Sequence, residues 1–177
     1  MVETNWGPVT KTQRIAFAVG AALFFLLLAR SEPGGMFLLD GANLLFHEAG
    51  HPIVGLFSQR LEPYGGTLFQ LVMPAVLAVS FWRKRQALAM AVAGIWFFQN
   101  FLSIAHYMAD ARALQLPLVG GGEHDWNNIF FRWNVLSYDT RIAAAVQTCG
   151  WIGMISVAAF AIVWPWGKTK TAGDALQ

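Results

Sequence analysis

Long, mostly apolar stretches alternate with short polar segments along this chain of 177 residues. A membrane-spanning helix needs about 20 mostly apolar residues, and five of the stretches approach or exceed that length. They cover residues 15–30, 36–58, 67–82, 86–110 and 142–166. The pattern therefore predicts an all-α integral membrane protein, a single domain over residues 1–177 in which about five transmembrane helices form a bundle.

Polar and turn-forming residues separate these stretches. The first stretch ends at Ala29, Arg30 and Ser31, a poor signal-peptide cleavage site, so we expect it to remain as a helix. The second contains Pro52, which is expected to bend or end its helix because proline lacks a backbone donor. The only long connection is a polar loop over residues 112–140, between the last two predicted helices.

The composition strengthens the membrane prediction. Hydrophobic residues make up 56% of the chain and charged residues 12%, whereas about 25% of the residues in a soluble domain are charged. The net charge is only +2, and the one dense basic cluster, Arg83 to Arg85, predicts a cytoplasmic loop by the positive-inside rule. No basic arm with interleaved aromatic residues suggests nucleic acid as a partner. The single cysteine, Cys149, excludes an internal disulfide.

The second apolar stretch contains the motif H-E-x-x-H at His47, Glu48 and His51. The two histidines are four residues apart, so on a helix both imidazoles leave the same face and can bind one metal ion. Glu48 lies on an adjoining face, where a carboxylate can accept a proton from water without being a ligand. Because ionisable groups are costly inside a membrane, they mark a functional site by default.

The third metal ligand is a choice among His124, Asp110 and His106. His124 ranks first because three glycines precede it and carboxylates flank it, so a flexible loop would bring several ligands to one place. Asp110 ranks second, and it shares a polar stripe of the fourth predicted helix with His106. Zinc is favoured over iron or copper, because a thiol-free set rich in imidazole with a nearby glutamate suits an open tetrahedral site.

The position of the second stretch in the membrane has two solutions. Five full spans place the N-terminus outside, whereas a second helix that re-enters from outside places Lys11 and Arg14 in the cytoplasm, which suits the charge rule slightly better. In both solutions the motif, the outer end of the fourth helix and the loop around His124 meet on one side. Residues 127–138, which are rich in aromatic side chains, are expected to form an interfacial helix.

A motif of this kind within an apolar helix resembles that of the intramembrane zinc metalloproteases of the site-2 protease type. The segment from Asn100 to Asp110 also resembles the Asn…Asp-Gly segment that supplies their third ligand, although Asp110 comes two residues later than expected and Ala111 replaces the glycine. The resemblance implies a zinc peptidase that hydrolyses membrane or membrane-associated proteins. Its zinc ligands would include His47 and His51, and its general base would be Glu48. We expect the bacterial cytoplasmic membrane as its location, with lipid and a protein or peptide substrate as partners.

Two alternatives to catalysis are compatible with the sequence. A non-catalytic membrane subunit could hold a metal ion, or a haem between His51 and His106 on separate helices. A degenerate protease could act as a scaffold, given the departures around Asp110. A membrane oxygenase or desaturase is disfavoured, because such proteins have many more histidines than the 4 present here.

Overall fold

The computed structural model describes residues 6–31, 37–119 and 122–167. Within these ranges the chain forms helices and no strand, which confirms the all-α prediction. The helices are α1 (Lys11–Arg30), α2 (Phe37–Gly55), α3 (Glu62–Arg83), α4 (Ala87–Ala109), α5 (Asp125–Arg132) and α6 (Asp139–Val163), with a 3₁₀ turn (Leu136–Tyr138) before α6. The start of the second predicted span at residue 36 and two of the three loop glycines, at 120 and 121, lie outside the described residues.

In the described part of the chain, four helices are long and apolar enough to cross a membrane: α1, α3, α4, and α6 together with the 3₁₀ turn before it. This supports an integral membrane protein. The fifth predicted span corresponds to α2, whose polar side chains lower its hydropathy below that of the other four. Pro52 does not end α2, which continues to Gly55. The interfacial segment forms α5, which begins two residues earlier than predicted and ends at Arg132.

The bundle is organised around α4, which packs most extensively against α6 and α3, while α2 packs against α3. Small residues allow close packing, as is common between membrane helices. A side chain added at Gly150 or Gly153 of α6 would come within 3.0 Å of Phe98 or Phe101 on α4. In contrast, α1 packs weakly, mainly against α6, and none of its own residues is buried.

Two glycines bring α2 and α3 into backbone contact. A Cβ atom added at Gly50 would overlap the backbone of Gly65, and one added at Gly65 would overlap the backbone of Gly50. The next glycine, Gly66, lies directly against the imidazole of His47. These close approaches place the motif face of α2 on the first turns of α3.

The start of α1 and the ends of α3 and α6 lie at one end of the bundle, here called the basic end. Arg14 Nη1 donates a hydrogen bond to the Ile162 carbonyl near the end of α6 (2.8 Å), and Gly7 N donates to the Arg85 carbonyl (3.4 Å). At the opposite end, His51, late in α2, contacts the carbonyl of Glu62, the first residue of α3. Both α1 and α2 therefore run away from the basic end.

A hydrophobic cluster fixes α5 on the end of the bundle away from the basic end. Trp126, Ile129 and Phe130 are buried against the last turns of α4 and the start of α6. Arg112, just after α4, also makes two contacts with the buried carboxylate of Asp139, at 2.7 Å and 2.8 Å. As a result the first residue of α5, Asp125, is held in a defined place.

Candidate metal centre

Two imidazoles of α2 converge on one carboxylate oxygen of α5. His47 Nε2 lies 3.0 Å and His51 Nε2 lies 3.2 Å from Oδ2 of Asp125. His47 and Asp125 are buried, and His51 is half-buried. The three residues form a group whose potential ligand atoms all lie within 4.8 Å of one another.

The other nitrogen of each imidazole faces a carbonyl oxygen of α3. His51 Nδ1 donates to the backbone carbonyl of Glu62 at 3.0 Å, and His47 Nδ1 donates to the Oε1 atom of Gln70 at 3.3 Å. Since a carbonyl oxygen cannot donate, both rings carry a hydrogen on Nδ1. If both rings are neutral, the lone pairs of their Nε2 atoms then point at a negatively charged oxygen. Such an arrangement needs positive charge between the groups, either protons or a metal ion.

Asp125 is held from several directions. Its backbone N–H donates to the hydroxyl oxygen of Tyr107 (3.1 Å), and the preceding residue, His124, caps the start of α5 by accepting from Asn127 N (3.2 Å). Burial by itself would raise the pKa of the Asp125 carboxyl, but the contacts with His47 and His51 outweigh it and hold the pKa below its ordinary value. The carboxylate is thus available as a ligand at neutral pH.

The donor set fits a zinc ion. Zinc binds imidazole nitrogen and carboxylate oxygen at about 2.0–2.2 Å, so tetrahedral donors are about 3.3 Å apart. The observed separations of 3.0 Å and 3.2 Å come close to that spacing. Both histidines also donate their second nitrogen to a carbonyl, as metal-binding histidines usually do. Three ligands are found among the described residues, which is the number typical of catalytic zinc sites, where a fourth position stays open.

Glu48 lies beside this group where two cavities meet. A large cavity of about 1110 Å³ is lined mostly by apolar side chains, and a small cavity of about 430 Å³ is lined by several charged ones. The residues that line both cavities are His47, Glu48, Tyr107, Leu118 and Val119. Glu48 is half-buried and lines both of these cavities.

The third ligand suggested by the structure is Asp125, and not one of the three residues ranked for that role from the sequence. Nδ1 of His124 accepts from α5, and its Nε2 faces Asp110 Oδ2 at 3.4 Å, away from the motif. Burial lowers the pKa of His124, although Asp110 and Asp125 oppose this effect. The carboxylate of Asp110 accepts backbone hydrogens of the following loop, and His106 is exposed on α4.

The structure brings His47, Glu48 and His51 together as the motif predicts. Of the two residues considered as haem ligands from the sequence, His51 lines the small cavity and His106 lines the large one. Comparisons of the chain with models of protein families, with curated proteins and with solved structures found no match.

Proposed function

We propose that this protein is a membrane-embedded zinc peptidase whose metal ligands are His47, His51 and Asp125. One observation carries the proposal: both Nε2 atoms point at the same carboxylate oxygen, while both Nδ1 atoms are tied to carbonyls. Two histidines one helical turn apart, an aspartate from a later segment and a glutamate next to the first histidine also agree with the resemblance to site-2 proteases.

Glu48 acts as the general base of the proposed reaction. When bound at this site, zinc supplies Lewis acidity for the peptide carbonyl and lowers the pKa of a water molecule. Glu48 accepts one proton from that water while the oxygen attacks the carbonyl carbon, and the π electron pair moves to the carbonyl oxygen. When this pair returns, the C–N bond breaks, and Glu48 transfers the proton to the leaving amine. One water is consumed, and the products are a carboxylic acid and an amine; the remaining proton passes from the acid to the amine, which gives a carboxylate and an ammonium group.

The two cavities support separate routes for the substrate and for water. The large cavity includes apolar side chains from the helices that surround the site, among them Leu28, Leu102, Ala143 and Trp151. The small cavity includes Gln59, Glu62, Glu123, Asn128 and Arg132. An apolar segment of a membrane protein suits the first surface, and water suits the second. Both routes lead to Glu48, where hydrolysis needs them to meet.

The helix directions favour a re-entrant α2. Both α1 and α2 run away from the basic end, so a fully spanning α2 would require the chain to return across the membrane between Arg30 and Phe37. The seven peptide steps from residue 30 to residue 37 reach at most about 25 Å, less than the hydrocarbon thickness of about 30 Å. With Arg83 to Arg85 in the cytoplasm, α2 begins within the bilayer and carries the site towards the outer face. The bacterial cytoplasmic membrane remains the expected location.

Zinc analysis and a cleavage assay test the proposal together. The protein is purified in detergent, its zinc content is measured by mass spectrometry, and hydrolysis of fluorescein-labelled casein is followed. We expect about one zinc per chain, its loss in His47→Ala, and a Glu48→Gln variant that keeps zinc but loses activity by at least 100-fold. Glu123→Gln, which changes an exposed carboxylate nearby, is the matched control.

Each negative result has a separate meaning. Full activity in Glu48→Gln would refute the role of the base. Stoichiometric zinc without hydrolysis in the wild type would favour the non-catalytic subunit or scaffold. A visible absorption band of the purified protein would point to haem, because zinc is colourless.

A further inference from the structure

Tyr107 holds a fixed position beside the candidate metal centre. Its ring lies between two imidazoles, with centroids 5.8 Å from His47 and 4.1 Å from His124. It belongs to α4, the helix with the most extensive packing in the bundle. Aromatic contacts on two sides, together with a rigid helix, leave the ring little freedom to reorient.

The hydroxyl group of Tyr107 has half of its hydrogen-bonding capacity in use. Its oxygen accepts the backbone N–H of Asp125 at 3.1 Å. No acceptor for its hydrogen is found among the residues that the structure describes. A tyrosine hydroxyl both donates and accepts, and one that is half-buried usually finds partners for both functions. The hydrogen of Tyr107 is therefore free to bond a molecule that enters the site.

That hydrogen lies in the space that a substrate carbonyl would enter. Tyr107 lines both cavities, and so does the general base, Glu48. The hydroxyl oxygen is also within hydrogen-bond distance of the backbone of Asp125, one of the three candidate ligands. A peptide bound between α2 and α4 would thus enter a space that both the base and a hydrogen-bond donor line.

We propose that Tyr107 is a catalytic residue that donates a hydrogen bond to the carbonyl oxygen of the peptide bond under attack, an inference that rests on the proposed function. Negative charge develops on this oxygen when the π pair moves onto it. A donor already in place stabilises that charge without reorganisation. The proton stays on Tyr107 throughout, so the stoichiometry of hydrolysis is unchanged.

The Tyr107→Phe variant tests this role because it keeps the ring and removes only the hydroxyl. We expect kcat on fluorescein-labelled casein to fall by roughly 100-fold, as for the loss of one oxyanion donor, with KM changed by less than about threefold. Zinc content should match the wild type. Tyr64→Phe is the matched control, since Tyr64 packs near the start of α3 against Trp133.

A binding measurement provides a readout that does not depend on turnover. N-phosphoryl-Leu-Trp has a tetrahedral phosphorus with charged oxygens and therefore mimics the attacked carbonyl. Calorimetry on the zinc-loaded protein should show binding to Tyr107→Phe at least tenfold weaker than to wild type, and unchanged binding to Tyr64→Phe.

The outcomes separate this inference from the proposed function. If Glu48→Gln is inactive but Tyr107→Phe keeps wild-type kcat and affinity for the phosphoramidate, the peptidase stands and the role of Tyr107 is refuted. If Tyr107→Phe loses zinc, and excess zinc restores its activity, the hydroxyl only positions Asp125, which also overturns the inference. If the zinc-loaded wild type neither cleaves casein nor binds the phosphoramidate, both proposals fail.

Discussion

A methyl group at position 66 should abolish zinc binding although no ligand residue is replaced. Gly66 of α3 lies against the ring of His47, and a Cβ atom there would be 2.5 Å from Nε2, 2.6 Å from Cε1 and 2.7 Å from Cδ2. For the distance between the added Cβ atom and His47 Nε2 to increase from 2.5 Å to the 3.4 Å of an ordinary contact, the imidazole must move by about 0.9 Å. Metal–ligand distances tolerate changes of only about 0.2 Å, so the displaced imidazole can no longer bind.

The same substitution should leave the fold intact. The obstacle is a ring at the end of a side chain, which can rotate away, and not the backbone of a neighbouring helix. Overpacking lowers the free energy of unfolding by about 1–3 kcal/mol. Replacing glycine by alanine inside a helix raises it by up to about 1 kcal/mol and so offsets part of this loss. We therefore expect Gly66→Ala to unfold near the wild-type temperature in the absence of metal.

Zinc affinity and stability are measured on the same detergent-solubilised samples. Competition with a chromophoric chelator should show at least a 100-fold loss of affinity in Gly66→Ala, comparable to His47→Ala. Thermal unfolding followed by circular dichroism provides the check on the fold. Gly41→Ala is the matched control because it lies on α2 with nothing within 4 Å of the added atom. Zinc affinity of a folded Gly66→Ala within about threefold of wild type would refute the placement of His47.

Three further substitutions probe the neighbouring contacts. Gly65→Ala places a methyl group against the backbone of α2 and should lower the free energy of unfolding by about 1–3 kcal/mol; an unchanged melting temperature would contradict the close helix contact. Asp125→Asn should weaken zinc binding by roughly 100-fold while Glu123→Gln leaves it unchanged, because only the former carboxylate faces the histidines; equal effects in the chelator competition would remove Asp125 from the ligand set. Gln70→Ala should lower zinc affinity about 10-fold or more, since it removes the partner of a ligand. Glu62→Ala should leave zinc affinity unchanged because His51 contacts the backbone carbonyl of Glu62 and not its side chain. A larger loss of affinity in Glu62→Ala than in Gln70→Ala would refute these contacts.

The membrane helices and the paired histidines could be predicted because both depend on local sequence. Apolar length alone indicates where a helix can cross a bilayer. A spacing of four residues places His47 and His51 on one face of any helix. The direction of α2 is different, because hydropathy contains no direction. It follows from contacts between helices: His51 of α2 meets the start of α3, which places α2 parallel to α1, whose Arg14 meets the end of α6.

The sequence does not single out Asp125 as a candidate ligand, because the loop that contains it is expected to be flexible. Trp126, Ile129 and Phe130 recur at helical spacing and are buried together, so they indicate a short amphipathic helix. A polar residue just before such a helix favours the capping position, which His124 occupies. Its imidazole then accepts a hydrogen bond from the backbone at the start of the helix. The following residue, Asp125, points in a different direction, towards His47 and His51. The capping pattern was the signal that favoured Asp125.

The charges of the site argue for a divalent cation between these groups. With a hydrogen on each Nδ1, the imidazoles of His47 and His51 are neutral when Nε2 binds metal. Asp125 and Glu48 then contribute two negative charges, which a zinc ion balances. Without positive charge, the Asp125 carboxylate would face the lone pairs of two imidazoles at a partly buried site, which is costly in a membrane protein. Protons on both histidines would also balance the charge, but they would occupy the Nε2 positions that must stay free for a metal. The contacts of both Nδ1 atoms hold the rings with Nε2 towards Asp125 whichever cation is present, and a zinc ion there would supply the Lewis acidity that the proposed peptidase reaction needs.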